Sequence, residues 1–281
     1  NKEINYATHD NQQLFFRDFS SSERQFRRIR GELYAYYQHN TFTRSTIELS
    51  YLDLRIGNAT RLLNPNYFQN NQQFQRSFSI RYQFELDRRN NVAYPTKGYL
   101  INTSLTKKGL GIFKDVDLLY LEGEFGYYSR MSDWLSISSL LIAKVNLLQN
   151  EFSYYDNRAI GYSDNYIRSY EYYVIECQHY IISRTDINFK LLDVDIPLFK
   201  NSSFYYFREL PIKLHSRLFF DYGYTWSNEF SSKNTLVNNS LFGAGIGLDI
   251  IFYAYDFVVQ IEYSVNKTGE NGLYLRYVIN F

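Results

Sequence analysis

The chain has 281 residues, and its 30 basic and 29 acidic side chains leave a formal net charge of +1. This balance excludes the global positive field by which proteins attract nucleic acid, and the single cysteine excludes an internal disulfide framework. Mean hydropathy is −0.41, and the longest purely apolar run covers only residues 250–255, too short for a transmembrane helix of about 20 residues. Aromatic residues nevertheless make up 19% of the chain, an excess typical of membrane barrels with aromatic rings at both lipid interfaces.

Segments that alternate apolar and polar residues recur along the chain, and this period of two predicts β-strands. Many run for about 10 to 15 residues, longer than the usual 5 or 6 residues of strands in soluble sheets. Twelve strands are predicted, at residues 12–19, 24–38, 42–57, 76–88, 97–109, 115–130, 132–147, 179–193, 211–226, 239–252, 255–265 and 272–281. Because bacterial single-chain barrels have an even number of antiparallel strands, we predict an all-β fold, a transmembrane antiparallel β-barrel of about 12 strands.

One face of these strands carries charged residues at successive positions. In the segment 211–226, Arg217 and Asp221 alternate with Leu218, Phe220 and Tyr222. Such charges are very costly in a dry core, but they are normal in the water-filled lumen of a barrel. We therefore expect the polar face to line a lumen and the apolar face to contact lipid.

The connections between the predicted strands alternate between short and long. Long connections lie at 58–75, 148–178 and 227–238, and 194–210 is one further long connection on the opposite side. Since barrels have short periplasmic turns and longer outer loops, both termini are expected in the periplasm. Without a linker or internal repeat, residues 1–281 are predicted to form a single barrel domain, with no periplasmic substrate-binding modules in the chain. The sequence starts at Asn1 without a signal peptide, and we interpret it as a mature product or a fragment.

Two patterns that contain glycine have structural interpretations. Pro95 and Gly98 mark a reversal between two predicted strands. Gly243, Gly245 and Gly247 all fall on the inward face of one strand, where they are expected to thin the wall beside a loop. Their spacing differs from the nucleotide-binding pattern G-x-G-x-x-G, and no helix pattern follows them.

Signals for catalysis are weak. The 4 histidines are scattered, and neither H-E-x-x-H nor G-x-S-x-G occurs. An inward-facing His215 has the chemistry of a general base in a membrane lipase or protease, but a structural histidine lining the lumen is the favoured interpretation. The sequence thus predicts no enzyme, no cofactor, no metal site and no nucleic-acid partner.

The segment 272–281 alternates and ends on an aromatic ring. Tyr277, Ile279 and Phe281 share one face, which suits the lipid-facing side of a strand that closes a barrel. In outer-membrane barrels generally, the cell's insertion machinery reads such a last strand. This implies that these three residues form an assembly signal.

Five segments occur in the order expected of one family. They are Asp87–Tyr99 with its Pro-Thr-x-Gly-Tyr turn, Gly161–Glu171, Phe219–Trp226, Gly243–Asp249 and the closing hairpin that starts at Glu262. In this order, from about residue 76 to 281, they resemble the surface-antigen superfamily of outer-membrane assembly barrels (BamA/TamA-like). The residues that match the family's loop motif are Gly161, Ile167, Arg168, Tyr170 and Glu171. One departure is Ser169, which stands where the family has Gly.

The resemblance implies that residues 148–178 form a long loop folded into the lumen. It also implies that Arg168 pairs with Asp221 and Asp186, two acidic residues that the alternation turns inward. A guanidinium between two carboxylates forms charge-assisted, bidentate hydrogen bonds. The alternative is that these are independent lumen charges solvated by water. Because barrels of this family have sixteen strands, the predicted strands are alternatively the last 12 of a 16-strand barrel.

The function implied by the resemblance is insertion or translocation of membrane proteins in the outer membrane of a Gram-negative bacterium. A weakly paired seam between the first and last strands would offer exposed edges to an incoming strand. The expected partners are outer-membrane lipids, lipopolysaccharide and other outer-membrane or periplasmic proteins. Two alternatives stay open: a non-catalytic barrel that anchors or scaffolds a larger outer-membrane complex, and a passive diffusion channel, which an ordered 148–178 loop would plug.

Overall fold

The computed structural model describes residues 26–148, 153–161, 165–171, 173–197, 209–228, 235–252 and 257–279. Eleven strands form one antiparallel sheet in chain order: β1 (Phe26–Asn40), β2 (Thr43–Ile56), β3 (Phe74–Asp87), β4 (Gly98–Lys108), β5 (Leu118–Arg130), β6 (Leu135–Asn146), β9 (His179–Pro197), β10 (Glu209–Trp226), β11 (Ser240–Phe252), β12 (Phe257–Asn266) and β13 (Asn271–Ile279). Two short strands, β7 (Arg158–Ile160) and β8 (Ile175–Glu176), pair with each other between β6 and β9. A helix α1 (Asn58–Leu63) and a 3-10 turn (Gln69–Asn71) lie between β2 and β3. Among the described residues, no helix has the length and apolarity needed to cross a membrane.

The prediction of an all-β antiparallel fold is confirmed, and each of the eleven sheet strands overlaps one predicted strand. The remaining prediction, a strand at 12–19, lies outside the described residues. β9 and β10 are longer than predicted, because their backbone ladder continues through Ile196 and Leu210. The alternation ends earlier, at the consecutive Leu191 and Leu192, where the register shifts opposite β10. The connection predicted at 194–210 is therefore shorter, at 198–208, and lies outside the described residues.

The two faces of the sheet differ in polarity. Side chains at i and i+2 share a face of a strand, so the alternation separates polar from apolar residues. One face carries Gln75, Asp221, Asp249 and Glu262, each at most 2% exposed. The opposite face exposes large apolar side chains, among them Ile47, Ile80, Tyr82, Leu105, Leu218 and Phe220. The polar face is therefore the inner one, and the apolar face is the outer one.

Contacts between distant strands show that the sheet curls around its inner face. The Tyr94 hydroxyl, in the turn between β3 and β4, donates to Asp249 Oδ2 on β11 at 2.9 Å and to Asn188 Oδ1 on β9 at 3.2 Å. In a flat sheet β4 and β11 would be separated by five inter-strand spacings of about 4.8 Å each. The curled sheet thus partly surrounds an inner space, called here the lumen.

β1 and β13 are the two edges of the described sheet, which is not closed. Strand direction alternates across the eleven strands, so both edges run in the same direction. An all-antiparallel closure therefore needs an odd number of additional strands between these edges. Totals of twelve and of sixteen strands both satisfy this condition.

The fold predicts heat-modifiable migration in detergent gels. A curled sheet with a continuous antiparallel ladder and a buried polar interior should resist detergent until it is boiled. We expect unheated and boiled protein to migrate differently, and the circular dichroism spectrum of folded protein to be dominated by β-structure. Identical migration together with a helical spectrum would contradict the fold.

Candidate functional site

The connection between β6 and β9, called here the lumen loop (residues 148–178), packs against the inner face of the sheet. Its β7–β8 pair belongs to an apolar cluster in which Ile160, Ile167 and Ile175 are 0% exposed. The full cluster consists of Ala159, Ile160, Ile167, Tyr170, Ile175, Cys177, Tyr180, Ile182, Leu236, Val237 and Leu241. Burial of these apolar side chains joins the lumen loop to β9, β11 and the loop that precedes β11.

At the tip of the lumen loop, Arg168 lies between carboxylates of two neighbouring strands. Its Nε and its backbone N–H each donate to Asp221 Oδ2 on β10 at 2.9 Å. Its Nη2 pairs with the other oxygen of Asp221, and its Nη1 lies 2.5 Å from Asp186 Oδ1 on β9. Arg168 is 4% exposed and Asp221 is 0% exposed. Together these three residues are called the loop anchor.

The loop anchor keeps a charged guanidinium inside the protein. Burial lowers the pKa of Arg168, but Asp186 and Asp221 more than offset this and raise the pKa above its ordinary value. The guanidinium also stacks on Phe219, with Cζ 4.1 Å from the ring centroid. Arg168 therefore keeps its positive charge inside the protein, and this charge ties the loop tip to β9 and β10.

Ser169 follows Arg168 with a positive φ of 76°. This left-handed conformation is ordinary for glycine and unfavourable for a residue that has a Cβ atom. The loop tip therefore has the backbone geometry of a glycine at the position where the sequence departs from the family motif. The Ser169 carbonyl oxygen accepts a hydrogen bond from Asn266 Nδ2 on β12 at 3.0 Å, which holds this turn against the β12–β13 hairpin.

Two glycines of the inner wall let the loop tip approach the sheet backbone. A Cβ atom at Gly243 on β11 would overlap the carbonyl oxygen of Arg168. A Cβ atom at Gly223 on β10 would overlap Cδ1 of Ile167. Sequence reasoning singled out Gly243 and missed Gly223, because a lone inward glycine carries no repeat pattern.

The other two glycines of the predicted thin wall have different neighbours. A Cβ atom at Gly245 would lie 2.2 Å from the backbone carbonyl oxygen of Tyr263 on β12 and 2.6 Å from the ring of Phe219. One at Gly247 would lie 3.3 Å from the guanidinium of Arg217. Gly245 therefore makes room for the β12 backbone and for Phe219 of β10, and Gly247 makes room for Arg217 of β10. Of the three predicted positions, Gly243 is the one that contacts the lumen loop.

A second buried arginine extends the ionic contacts across the wall. Arg217 on β10 lies 2.5 Å from Glu262 on β12 and 3.1 Å from Asp249 on β11. It also lies 3.8 Å from Asp186, which it shares with the loop anchor. The alternation turned Arg217 inward, but sequence reasoning did not pair it with Asp249 or Glu262, because pairing across strands requires the register.

The lumen loop also contacts the edge hairpin formed by β12 and β13. Arg276 on β13 pairs with Glu171 of the lumen loop and lies 3.0 Å from Glu262. The Tyr173 hydroxyl donates to Glu270 between β12 and β13 at 2.6 Å. The contacts from Arg168 to Arg276 thus form one ionic network of buried and half-buried side chains. Its members are Arg168, Glu171, Asp186, Arg217, Asp221, Asp249, Glu262 and Arg276.

The other end of the lumen loop is fastened to the opposite wall. Asp156 pairs with Lys108 at the end of β4, and its Oδ2 accepts hydrogen bonds from Gln75 Nε2 at 3.0 Å and from Ser153 Oγ at 2.8 Å. Sequence reasoning gave none of these residues a role. The lumen loop is thus held at β3 and β4 on one side and at β9 to β13 on the other.

The turn with Pro95 and Gly98 lies between β3 and β4 and does more than reverse the chain. Gly98 has a φ of 110°, and a Cβ atom there would overlap the Arg88 carbonyl oxygen. Tyr94, just before Pro95, points to the inner face, and its ring centroid lies 5.0 Å from that of His215. His215 therefore contacts an aromatic ring inside the wall, in keeping with a structural histidine.

The remaining site predictions concern the last strand and metals. Tyr277 is 72% exposed on β13, Ile279 is the last described residue of that strand, and Phe281 lies outside the described residues. Over the described part of the chain, no group of three or more His, Cys, Asp or Glu side chains has the arrangement to hold a metal ion. The assembly signal stays a prediction.

Replacing Arg168 by Ala should loosen the lumen loop. Asp221 would stay buried without its partner, which typically costs about 3–5 kcal/mol. We expect faster limited proteolysis within the loop and a lower denaturant midpoint in detergent. Arg88→Ala removes an exposed arginine from the β3–β4 turn and should change neither quantity. If the loop of Arg168→Ala is cleaved at the same rate as that of the wild type, the arginine does not hold the loop.

A methyl group added to the inner wall should also loosen the lumen loop if it is placed where the wall contacts the loop. Gly243→Ala places its Cβ atom on the Arg168 carbonyl oxygen, whereas Gly123→Ala on β5 meets only Thr103 Cγ2 at 4.0 Å. We therefore expect Gly243→Ala to increase proteolysis of the lumen loop and Gly123→Ala to leave it unchanged. Equal behaviour of the two variants would contradict the close contact.

Comparison with known proteins agrees with this geometry. Among solved structures, the crystal structure of BamA from Haemophilus ducreyi lacking POTRA domains 1-3 matches with a TM-score of 0.61 and 13% sequence identity. The match covers 90% of this chain, and the chain spans about half of that protein, 54%. No curated protein matches the sequence. Residues 7–254 match the Omp85 superfamily domain, and the chain belongs to this superfamily.

Proposed function

We propose that this chain is an outer-membrane barrel of the protein-assembly type, which inserts or translocates membrane proteins in a Gram-negative bacterium. Membership of the Omp85 superfamily and the likeness to the BamA barrel support this proposal. The protein acts without bond-making chemistry, as a single barrel domain. Its partners are outer-membrane lipids, lipopolysaccharide and other outer-membrane or periplasmic proteins.

The observation that carries the proposal is the contact between the lumen loop and an unpaired sheet edge. β13 has a free edge in the described sheet, and free edges template the addition of another strand. Three contacts from the loop reach the hairpin that ends in this strand: Glu171 to Arg276, Tyr173 to Glu270, and Ser169 to Asn266. The loop is thereby placed to control the position of the edge that an incoming strand would meet.

The outer side of β13 suits the same role. Leu273, Leu275 and Tyr277 are 72–74% exposed, and all three fall on the outer, lipid-facing side. Apolar side chains on that side leave the edge accessible from within the membrane, where an incoming strand has unsatisfied backbone groups. Each such group costs several kcal/mol in hydrocarbon, so pairing with β13 would be strongly favoured.

Insertion activity should be measurable in liposomes. An unfolded outer-membrane barrel substrate is added with its periplasmic chaperone, and protease-protected substrate is followed over time. We expect liposomes that contain this protein to protect substrate several-fold faster than empty liposomes. Arg276→Ala, which removes the contact between β13 and Glu171, should reduce this acceleration, whereas Arg88→Ala should preserve it.

The same experiment separates the proposal from its alternative. A barrel that only anchors or scaffolds a larger complex would copurify with stable partners and give no acceleration over empty liposomes. That outcome, obtained with protein that shows heat-modifiable migration, would refute the assembly function.

A further inference from the structure

The outer face of β1 to β5 carries its Asp, Glu, Lys and Arg residues at one end only. The register places Arg27 on β1, Asp53 and Arg55 on β2, Arg76 on β3 and Lys107 on β4, all at the end that carries the lumen loop. Every other outer position of these five strands is apolar, aromatic or an uncharged polar residue or histidine. A row of charges therefore bounds an uncharged surface.

This row marks the level of the lipid headgroups. Charged side chains that face acyl chains are costly, and the cost falls toward the interface. On the uncharged side of the row, Ile47, Tyr82 and Leu105 are 43–54% exposed and present an apolar surface of the kind that contacts acyl chains. The row itself therefore meets phosphates and sugars.

The loop between β4 and β5 forms an open cleft of about 750 Å³ beside this row. Lys107, Lys114 and Asp117 line the cleft together with Leu110, Phe113 and Val116. The cleft thus combines two ammonium groups and one carboxylate with an apolar wall. This is the combination that accommodates an anionic amphiphile.

The aromatic wall of the cleft is held in place by its neighbours. The rings of Phe113 and Phe78 are nearly parallel, at 10°, with centroids 5.8 Å apart. Arg76 covers Phe113, with Cζ 4.5 Å from the ring centroid, and its backbone N–H donates to Asp115 Oδ2 at 2.8 Å. The cationic head of Arg76 is thereby kept at the rim of the cleft.

Basic residues outnumber acidic ones in this region. Lys107 pairs with Asp117, Arg76 with Asp115 and Arg55 with Asp53. Lys114 is exposed and has no ion-pair partner among the described residues. Five basic residues stand against three acidic ones: Arg27, Arg55, Arg76, Lys107 and Lys114 against Asp53, Asp115 and Asp117. A ligand with more than one negative charge is therefore favoured over a zwitterionic lipid.

We propose that this cleft binds one phosphorylated glycolipid of the lipid A type. Its phosphates pair with Lys107, Lys114 and Arg76, and one acyl chain lies against Leu110 and Phe113. The inference rests on the proposed outer-membrane function and on the orientation predicted from the sequence, which has both termini in the periplasm and thus the lumen-loop end at the cell surface. Only there does the row of charges face the outer leaflet.

Native mass spectrometry tests the proposal with defined lipids. The protein is presented with equal amounts of diphosphorylated lipid A, its dephosphorylated form and phosphatidylglycerol, and retained lipid is counted. We expect one diphosphorylated lipid A to be retained in preference to the others. Lys107→Gln with Lys114→Gln should reduce its retention about tenfold, since two charge-assisted phosphate contacts are lost.

The control variant combines Arg88→Gln with Lys97→Gln and removes two exposed charges at the other end of the β3–β4 hairpin. It should retain lipid A as the wild type does. If the double lysine variant does not fold, Lys114→Gln alone should lower retention several-fold. Equal retention of dephosphorylated lipid A or phosphatidylglycerol, or unchanged retention in the folded lysine variants, would overturn the proposal.

Surface labelling separates this inference from the proposed function. Ile112 is 65% exposed in the β4–β5 loop, and Ile112→Cys adds a reactive thiol there. The native Cys177 is buried, and burial raises the pKa of its thiol, so it should not react. Labelling of intact cells by an impermeant maleimide supports the orientation, and labelling of broken cells alone overturns the lipid site. Neither result depends on insertion activity in liposomes.

Discussion

The Arg168 guanidinium can be buried because Asp221 and Asp186 supply carboxylates from two adjacent strands. An unpaired charge in this position would be strongly unfavourable. In the observed register of β9 and β10 both carboxylates face inward, and Asp186 lies opposite Phe219. A slip by one residue would turn a strand's inner side chains to the outer face. The position of the loop tip and the pairing of the wall therefore depend on each other.

The ionic contacts of the loop anchor also extend to the edge of the sheet. Arg217 links the loop anchor to β11 and β12, and Arg276 links β12 and β13 back to Glu171 at the loop tip. Within the described sheet, β13 has a backbone ladder on one side, so these ionic contacts contribute a larger share of what holds it in place there. Buried ionic contacts fix geometry more than they add stability, because desolvation offsets much of their attraction. An edge held in this way is compatible with the exchange of strands in the proposed function.

Alternation was sufficient to predict the strands of the sheet, because a period of two is a local property of the chain. The pairing of Arg168 with Asp221 and Asp186 was predicted from the order of the family motifs and from the alternation, which turns both acidic residues inward. Contacts that depend on register were out of reach, such as Arg276 with Glu171, 105 residues apart. Gly223 was missed because its importance comes from Ile167 on another segment. Tyr94 was missed because side chains in a turn do not alternate between two faces. Its inward direction is therefore visible only in the folded structure.

A double-mutant cycle between Arg168 and Asp221 tests the central claim most directly. Denaturant unfolding in detergent would compare the wild type, Arg168→Ala, Asp221→Ala and the double variant. If the two side chains stabilise the fold through each other, the double variant should lose little more stability than the worse single variant. The coupling should then be about 1.5–3 kcal/mol, as expected for hydrogen bonds between charged groups. Losses that add to within about 0.5 kcal/mol would show that the loop does not depend on this pair.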